Sequence, residues 1–369
     1  MVPNVRPRYP QKHTVAFIGE APGADEVSAG LPFVGASGRL LWAMAARHGF
    51  TRDTSFVGNV CQLRPSGNDI KLFSWTGPEI QSGLEQLWKD LAVVQPTLCI
   101  LLGGTALRAF TGEITILNWR GSLFMARGYK CIAVVHPAAI LREYGLKPLL
   151  DFDLRRAREE MGTKELSLPQ RNLEIDLSAH EIIERLHRIK ATKSTIAIDI
   201  EGYVNSMSCI SIAETPHNCF VIPFDAMPED LDWQVWRALS DVLADPTIPK
   251  ILQNALYDTF VLQFGHNIPV RGVVDDIMLA HWELMCEMPK SLAFQASIYT
   301  REPYWKAERE SEDRHTRLLY AAKDSAVTYE IRNVLRSRLT GTALTHYLFN
   351  LSLLEPILYM EMRGMRYAI

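Results

Sequence analysis

Residues 195–201 read Thr195-Ile196-Ala197-Ile198-Asp199-Ile200-Glu201. An apolar run of this length is a buried strand, and two carboxylates close it. Side chains alternate faces along a strand, so Asp199 and Glu201 look the same way, about 7 Å apart, and can share a metal ion. Two more acidic segments follow, Gln253-Asn254-Ala255-Leu256-Tyr257-Asp258 and Tyr320-Ala321-Ala322-Lys323-Asp324. Asp258 comes after a short strand and a helix start. Tyr320 and Asp324 are four apart on a helical pattern and share a face. Hard oxygen ligands favour magnesium or manganese. Two such ions, about 3.5–4 Å apart, stabilise the attacking and leaving oxygens of an in-line phosphoryl displacement.

Outward from this stretch, residues 209–213 and 219–223 read as further strands, with Thr215-Pro216-His217-Asn218 as the turn between them. Helical patterns run from 233 to 339, interrupted by one strand at 250–254. The expectation is a sheet with a long antiparallel edge, followed by helices.

In this order and context the three segments resemble the DEDD-type 3′→5′ exonucleases of the tyrosine subclass, in particular the proofreading domain of family A DNA polymerases. Asp275-Asp276-Ile277-Met278-Leu279-Ala280 and Lys290-Ser291-Leu292 also look like that family. The resemblance covers about 172–340 and implies a ribonuclease H-like fold. It implies two Mg or Mn ions, with Asp199, Glu201 and Asp324 on the ion that activates water. Asp199 would also touch the second ion, Asp258 would support it, and Tyr320 would orient the water. The stretch from Leu354 to Met365 looks like the entry into a family A polymerase domain. No palm or fingers follows within the 369 residues, so 341–369 reads as the start of a truncated polymerase domain.

The first half is built differently. Residues 15–19, 55–59, 98–102 and 131–135 read as buried strands, with helices at 39–48, 79–94 and 105–110 between them. That alternation implies an α/β sandwich on a mostly parallel sheet, with functional residues beyond the carboxyl ends of the strands. Gly19-Glu20-Ala21-Pro22-Gly23-Ala24-Asp25-Glu26, Phe33, Asn59 and His136 follow or close these strands. Asn59 offers an amide donor and a carbonyl acceptor, a pair that suits the O4 and N3–H edge of uracil. Phe33 could stack on the ring of a flipped base, and His136 offers a polar tip near the sugar.

Jointly these segments resemble the uracil-DNA glycosylase superfamily, closest to its family 4, from about His13 to Arg142. Arg64-Pro65, Asn68 and Leu102-Gly103-Gly104-Thr105-Ala106-Leu107 belong to the match. Members of family 4 carry an iron–sulfur cluster on four cysteines. Here the amino-terminal C-x-x-C pair is missing, and Leu63 and Gly83 stand at two ligand positions, so the cluster is expected absent. Where other branches place a water-activating Asp or Asn, this chain has Ala21. Glu20 and Glu26 remain as available acids, and Val27 stands where the family often has another. The resemblance implies a module that flips and excises uracil, or, if its chemistry is lost, one that binds uracil or DNA beside an active exonuclease.

Composition fits this picture. The chain has 47% hydrophobic and 22% charged residues and a net charge of -3. Residues 1–164 carry a balance of +5 and the remainder -8. A mildly basic first half suits phosphate contact, and clustered metal-binding acids suit the second. Six cysteines without zinc spacing point to a reduced, intracellular (cytoplasmic) protein, a reading open to a bacterial or a phage-infected cell alike. No run of about 18 apolar residues offers a membrane span. From 151 to 172 the pattern turns charged and irregular, with 155–160 as a solvated helix end and 167–170 as linker. The expected layout is a glycosylase-like domain at 1–160, a linker at 161–171, an exonuclease domain at 172–340 and the polymerase start at 341–369. DNA is the expected partner, as single-stranded 3′ ends and uracil-containing strands, together with the missing polymerase domain.

Overall fold

The computed structural model describes residues 1–226 and 229–364, with backbone alone for 226 and 229–231. Met365, the last residue of the stretch read as a polymerase entry, lies with 366–369 outside the described residues. The chain divides into two compact α/β units, Met1–Leu168 and Pro169–Ile369.

In the first unit, β1 (Val15–Gly19), β2 (Phe56–Asn59), β3 (Leu98–Leu102), β4 (Leu123–Ala126) and β5 (Tyr129–Val134) form one sheet in the order β2-β1-β3-β5-β4. All pairings are parallel except β4 with β5. Strands β1 to β3 are buried throughout and apolar up to Asn59 at the end of β2, as a sheet covered on both faces requires. Helices Ala36–Arg47, Pro78–Val94, Gly104–Thr111 and Lys147–Glu160 supply the cover. The chain leaves β1 to one side for β2 and returns on the other for β3. The switch point, where ligands enter such sheets, therefore lies at the carboxyl ends of β1 and its neighbours.

In the second unit, β6 (Asn172–Glu174), β7 (Ile196–Tyr203), β8 (Ser206–Ala213), β9 (Asn218–Pro223), β10 (Lys250–Leu252) and β11 (Val273–Asp276) give the order β11-β10-β7-β8-β9-β6. β7, β8 and β9 run antiparallel, while β10 and β11 join β7 in parallel. The 25-residue helix Arg314–Arg338 buries Tyr320, Ala321, Ala322, Asp324 and Ser325. The small residues of that face let it approach the sheet, where the Ser325 Oγ and Cys219 Sγ come within 3.1 Å.

Three expectations need correction. The stretch 155–160, expected as a solvated helix end, does close the helix Lys147–Glu160 and exposes Arg155, Arg158 and Glu159, but Glu160 and the preceding Asp153 are anchored inward. Asp153 is fully buried and takes two hydrogen bonds from the buried Arg120, the Nε one at 3.0 Å. Lys130, also buried, donates to the Glu160 carboxylate at 2.9 Å. Charges that pair inside a protein look solvated in a sequence. Second, β4, β6 and β11 add three strands that the sequence does not signal. β4 and β11 are four residues long and β6 three, each pairs at a sheet edge, and none carries an alternating or long apolar pattern. Third, β10 ends at Leu252, and Asn254 turns into a left-handed conformation (φ 62°) to start the next helix.

Candidate active sites

In the second unit, β7 delivers Asp199 and Glu201 and the long helix delivers Asp324. One carboxylate oxygen from each lies within 4.8 Å of the other two. The register of β7 against β8 shifts just after Glu201. Gly202 takes φ 146° there, and a Cβ would run into the Ser206 carbonyl, so a glycine closes the hairpin beside the second acid. Burial, then Asp324, Asp258 and Glu201, holds the Asp199 carboxyl well above the usual range. Burial and Asp324 push Glu201 up to about 7. Mutual repulsion of this kind is what a divalent cation relieves, and three hard oxygens fit one.

Asp258 is not one of the three converging acids. It is buried and accepts a hydrogen bond from the Ile200 N–H at 3.2 Å, which braces β7 between the two acids. Burial raises its carboxyl to about 8, with Asp276 and Glu201 adding to the shift. The helix that carries it, Ala255–Phe260, is fixed by Asp276, whose carboxylate accepts from the N–H groups of Asn254 (3.1 Å) and Ala255 (2.8 Å). Tyr320 is buried on the same helix face as Asp324. Burial first, then Asp324, Glu201 and Asp199, raises its pKa and keeps the hydroxyl protonated.

Three residues in contact with this site carry no sequence signal. The Trp305 indole donates to Asp324 Oδ1 at 2.6 Å, and the Lys306 ammonium donates to Asp324 Oδ2 and, at 3.1 Å, to the Tyr320 hydroxyl. Arg309 lies 3.6 Å from the Glu201 carboxylate. All three come from a connection with no periodic pattern.

In the first unit, a cavity of about 700 Å³ opens at the carboxyl ends of the strands, lined among others by Glu20, Ala21, Phe33, Asn59, Asn68 and His136. Phe33 is buried in a left-handed conformation (φ 53°). Its ring lies over Gly19, where a Cβ would strike the ring and come within 2.7 Å of Asn59 Oδ1. Arg52, another residue without a sequence signal, donates to the carbonyls of Pro32 and Phe33 and so holds that loop. Asn59 is 3% exposed. Its N–H donates to Asn4 Oδ1 at 3.2 Å and its carbonyl accepts from Gln62 Nε2 at 2.8 Å. The described residues offer its carboxamide no hydrogen bond, and Asn59 lines the cavity.

His136 caps the helix Pro137–Arg142, its Nδ1 accepting from the Ala138 N–H at 3.1 Å. The ring proton is therefore on Nε2. Burial, then Arg142, lowers its pKa to about 4, so the ring is neutral at pH 7. The ring centres of Phe33 and His136 are 6.2 Å apart. The two acids differ. Glu26 is buried and its carboxylate accepts from the N–H groups of Gly23 (3.0 Å), Val34 (3.0 Å) and Gly35 (2.8 Å), which ties two cavity loops together. Glu20 is half-buried at the cavity and accepts from the Thr105 hydroxyl.

The residues at the expected cluster positions do not fit iron–sulfur ligation. Leu63 packs against the apolar core, and the Cys61 thiol is buried, donating to the Leu63 carbonyl at 3.4 Å. Gly83 lets its helix approach β2 so closely that a Cβ would strike the Val60 carbonyl.

Residues 7–157 match the family described as the Uracil DNA glycosylase superfamily, and residues 175–340 match the 3'-5' exonuclease family. The type-4 uracil-DNA glycosylase of Archaeoglobus fulgidus is 32% identical over 167 residues, 43% of this chain and 82% of that protein. The type-4 uracil-DNA glycosylase of Pyrobaculum aerophilum is 32% identical over 150 residues, 38% of this chain and 74% of that protein. Among solved structures, the catalytic core of RRP6 from Trypanosoma brucei aligns with a TM-score of 0.41 and 20% identity, over 51% of this chain and 53% of that one. The chain belongs to the uracil-DNA glycosylase superfamily and carries a 3'-5' exonuclease domain behind that module. Among the described residues no helix is long and apolar enough to cross a membrane.

Proposed function

We propose that this chain processes DNA with two chemistries, excision of uracil by the first unit and 3′→5′ trimming of strand ends by the second, as the proofreading part of a family A polymerase. The observation that carries the exonuclease reading is the convergence of Asp199, Glu201 and Asp324 beside a protonated Tyr320. These acids would hold magnesium or manganese, with Asp199 and Asp258 supporting a second ion. Held by these residues, such an ion would supply a water of lowered pKa and positive charge beside the phosphate oxygens. Tyr320 orients that water by hydrogen bond, and Asp258 keeps β7 in place through Ile200. Addition of magnesium to a 5′-labelled single strand should give a ladder shortening from the 3′ end, and Asp324→Asn should remove it. A strand left intact by the wild-type protein with magnesium or manganese would end this reading.

For the first unit, Phe33 stacks on a flipped uracil while the Asn59 carboxamide donates to O4 and accepts from N3–H. The neutral His136 donates from Nε2 to the uracil O2, on which charge gathers as the base–sugar bond breaks. Glu20, oriented by Thr105, is the acid available to a water, and Glu26 shapes the cavity. A second reading rests on these same acids. Both are already hydrogen-bonded, and Ala21 offers no base, so the module could recognise uracil without excising it.

A further inference from the structure

Two acids of the exonuclease centre, Asp324 and Glu201, meet one short segment. In Trp305 and the 3₁₀ turn Lys306–Glu310, three successive contacts point at them. The Trp305 indole takes one oxygen of Asp324 and the Lys306 ammonium takes the other. Arg309 sits 3.6 Å from Glu201. The segment is pinned by Lys323, on the long helix, which donates to both oxygens of Glu308 at 2.8 Å. Lys306 is also bound to Tyr320, by the 3.1 Å hydrogen bond and by lying 4.7 Å over its ring. Its side chain is only 22% exposed, so the charge is held at the site rather than in solvent.

Resting on the exonuclease reading above, we propose that Lys306, assisted by Arg309, is a positioning residue that serves as the internal counterion of the metal site. It occupies Asp324 until a divalent ion loads, yields that carboxylate to the ion, and stays on the Tyr320 hydroxyl. The physical requirement is simple. Three acids packed this closely repel one another, and an ammonium and a guanidinium offset part of that charge without an ion. Both oxygens of Asp324 are already engaged, one by Trp305 and the other by Lys306, so an ion arriving there competes with the ammonium, and the internal cation weakens metal binding by the strength of its own contact.

The test is Mn²⁺ binding to the full chain without DNA, followed by calorimetry or by the electron-spin signal of free Mn²⁺. Lys306→Gln should bind Mn²⁺ more tightly than wild type, by about tenfold, the equivalent of one charge-assisted hydrogen bond. The exposed Arg309→Gln should shift affinity the same way by a smaller factor, and covers the case in which the first variant folds poorly. Lys306→Arg should stay near wild type. In the exonuclease assay, Lys306→Gln should lower kcat with KM held, because Tyr320 loses its anchor. A role in fold alone would weaken metal binding, not tighten it. Unchanged or weaker Mn²⁺ binding by folded Lys306→Gln, or by Arg309→Gln, would overturn the proposal. Failure of the wild-type chain to bind Mn²⁺ at all would instead overturn the exonuclease reading on which it stands.

Discussion

Gly19 shows how much of a site can rest on a missing side chain. It ends β1 beneath both the Phe33 ring and the Asn59 amide. Gly19→Ala should cost about 1–3 kcal/mol of stability, the range for overpacking. It should lower uracil affinity more than a surface change of equal cost, as read by denaturant midpoint and by binding of a uracil oligonucleotide. His136 makes a claim about pH. Its folded pKa is about 4, against about 6.5 for a free imidazole. Between these values the unfolded chain binds the proton and the folded one does not. Its contribution is therefore complete above about pH 6.5 and is lost as pH falls toward 4. The melting temperature of the wild type should fall more steeply from pH 7 to pH 5 than that of His136→Gln. Parallel curves would mean the ring is not held neutral.

At the scale of elements, sequence reading succeeded where one signal dominates. The apolar runs at β1, β3 and β7 needed only their pattern, and the period of two placed Asp199 and Glu201 on one face. The four-residue spacing likewise put Tyr320 and Asp324 together. It failed where the partner is distant in sequence and the local pattern is mute. Nothing in residues 147–160 announces that Asp153 meets Arg120, 33 positions away. Asp258, expected to support a second ion, also accepts a hydrogen bond from a strand N–H 58 positions away that its local sequence does not announce. Glu26 reads as a free acid until the backbone groups of the Phe33 loop are seen to claim it. The helix Lys147–Glu160 also carries a prediction. Removing one partner of a buried ion pair costs about 3–5 kcal/mol, so Asp153→Ala should destabilise the first unit by that order. In a melt followed by a probe in each unit, the transition of the first unit should drop and that of the second should hold.

At the scale of the molecule, the two units have separate sheets, separate cores and sites built from their own residues. Their activities should then be separable by single substitutions. Asn59→Ala removes two hydrogen bonds to the base and should cost about 100-fold in uracil excision or binding, with exonuclease unchanged. Asp199→Ala should reduce trimming by about 10³-fold or more and leave uracil handling alone. Loss of both activities in either variant would refute the two-site account. The most direct test of that account needs no variant. An internally labelled single strand with one uracil is incubated with the wild-type chain in EDTA and treated with alkali, then the reaction is repeated with magnesium. The account predicts one break at the uracil in EDTA and shortening from the 3′ end only once magnesium is present. A strand that survives EDTA and alkali intact would contradict excision and leave the first unit as a reader of uracil. Shortening that persists in EDTA would contradict the metal-dependent exonuclease.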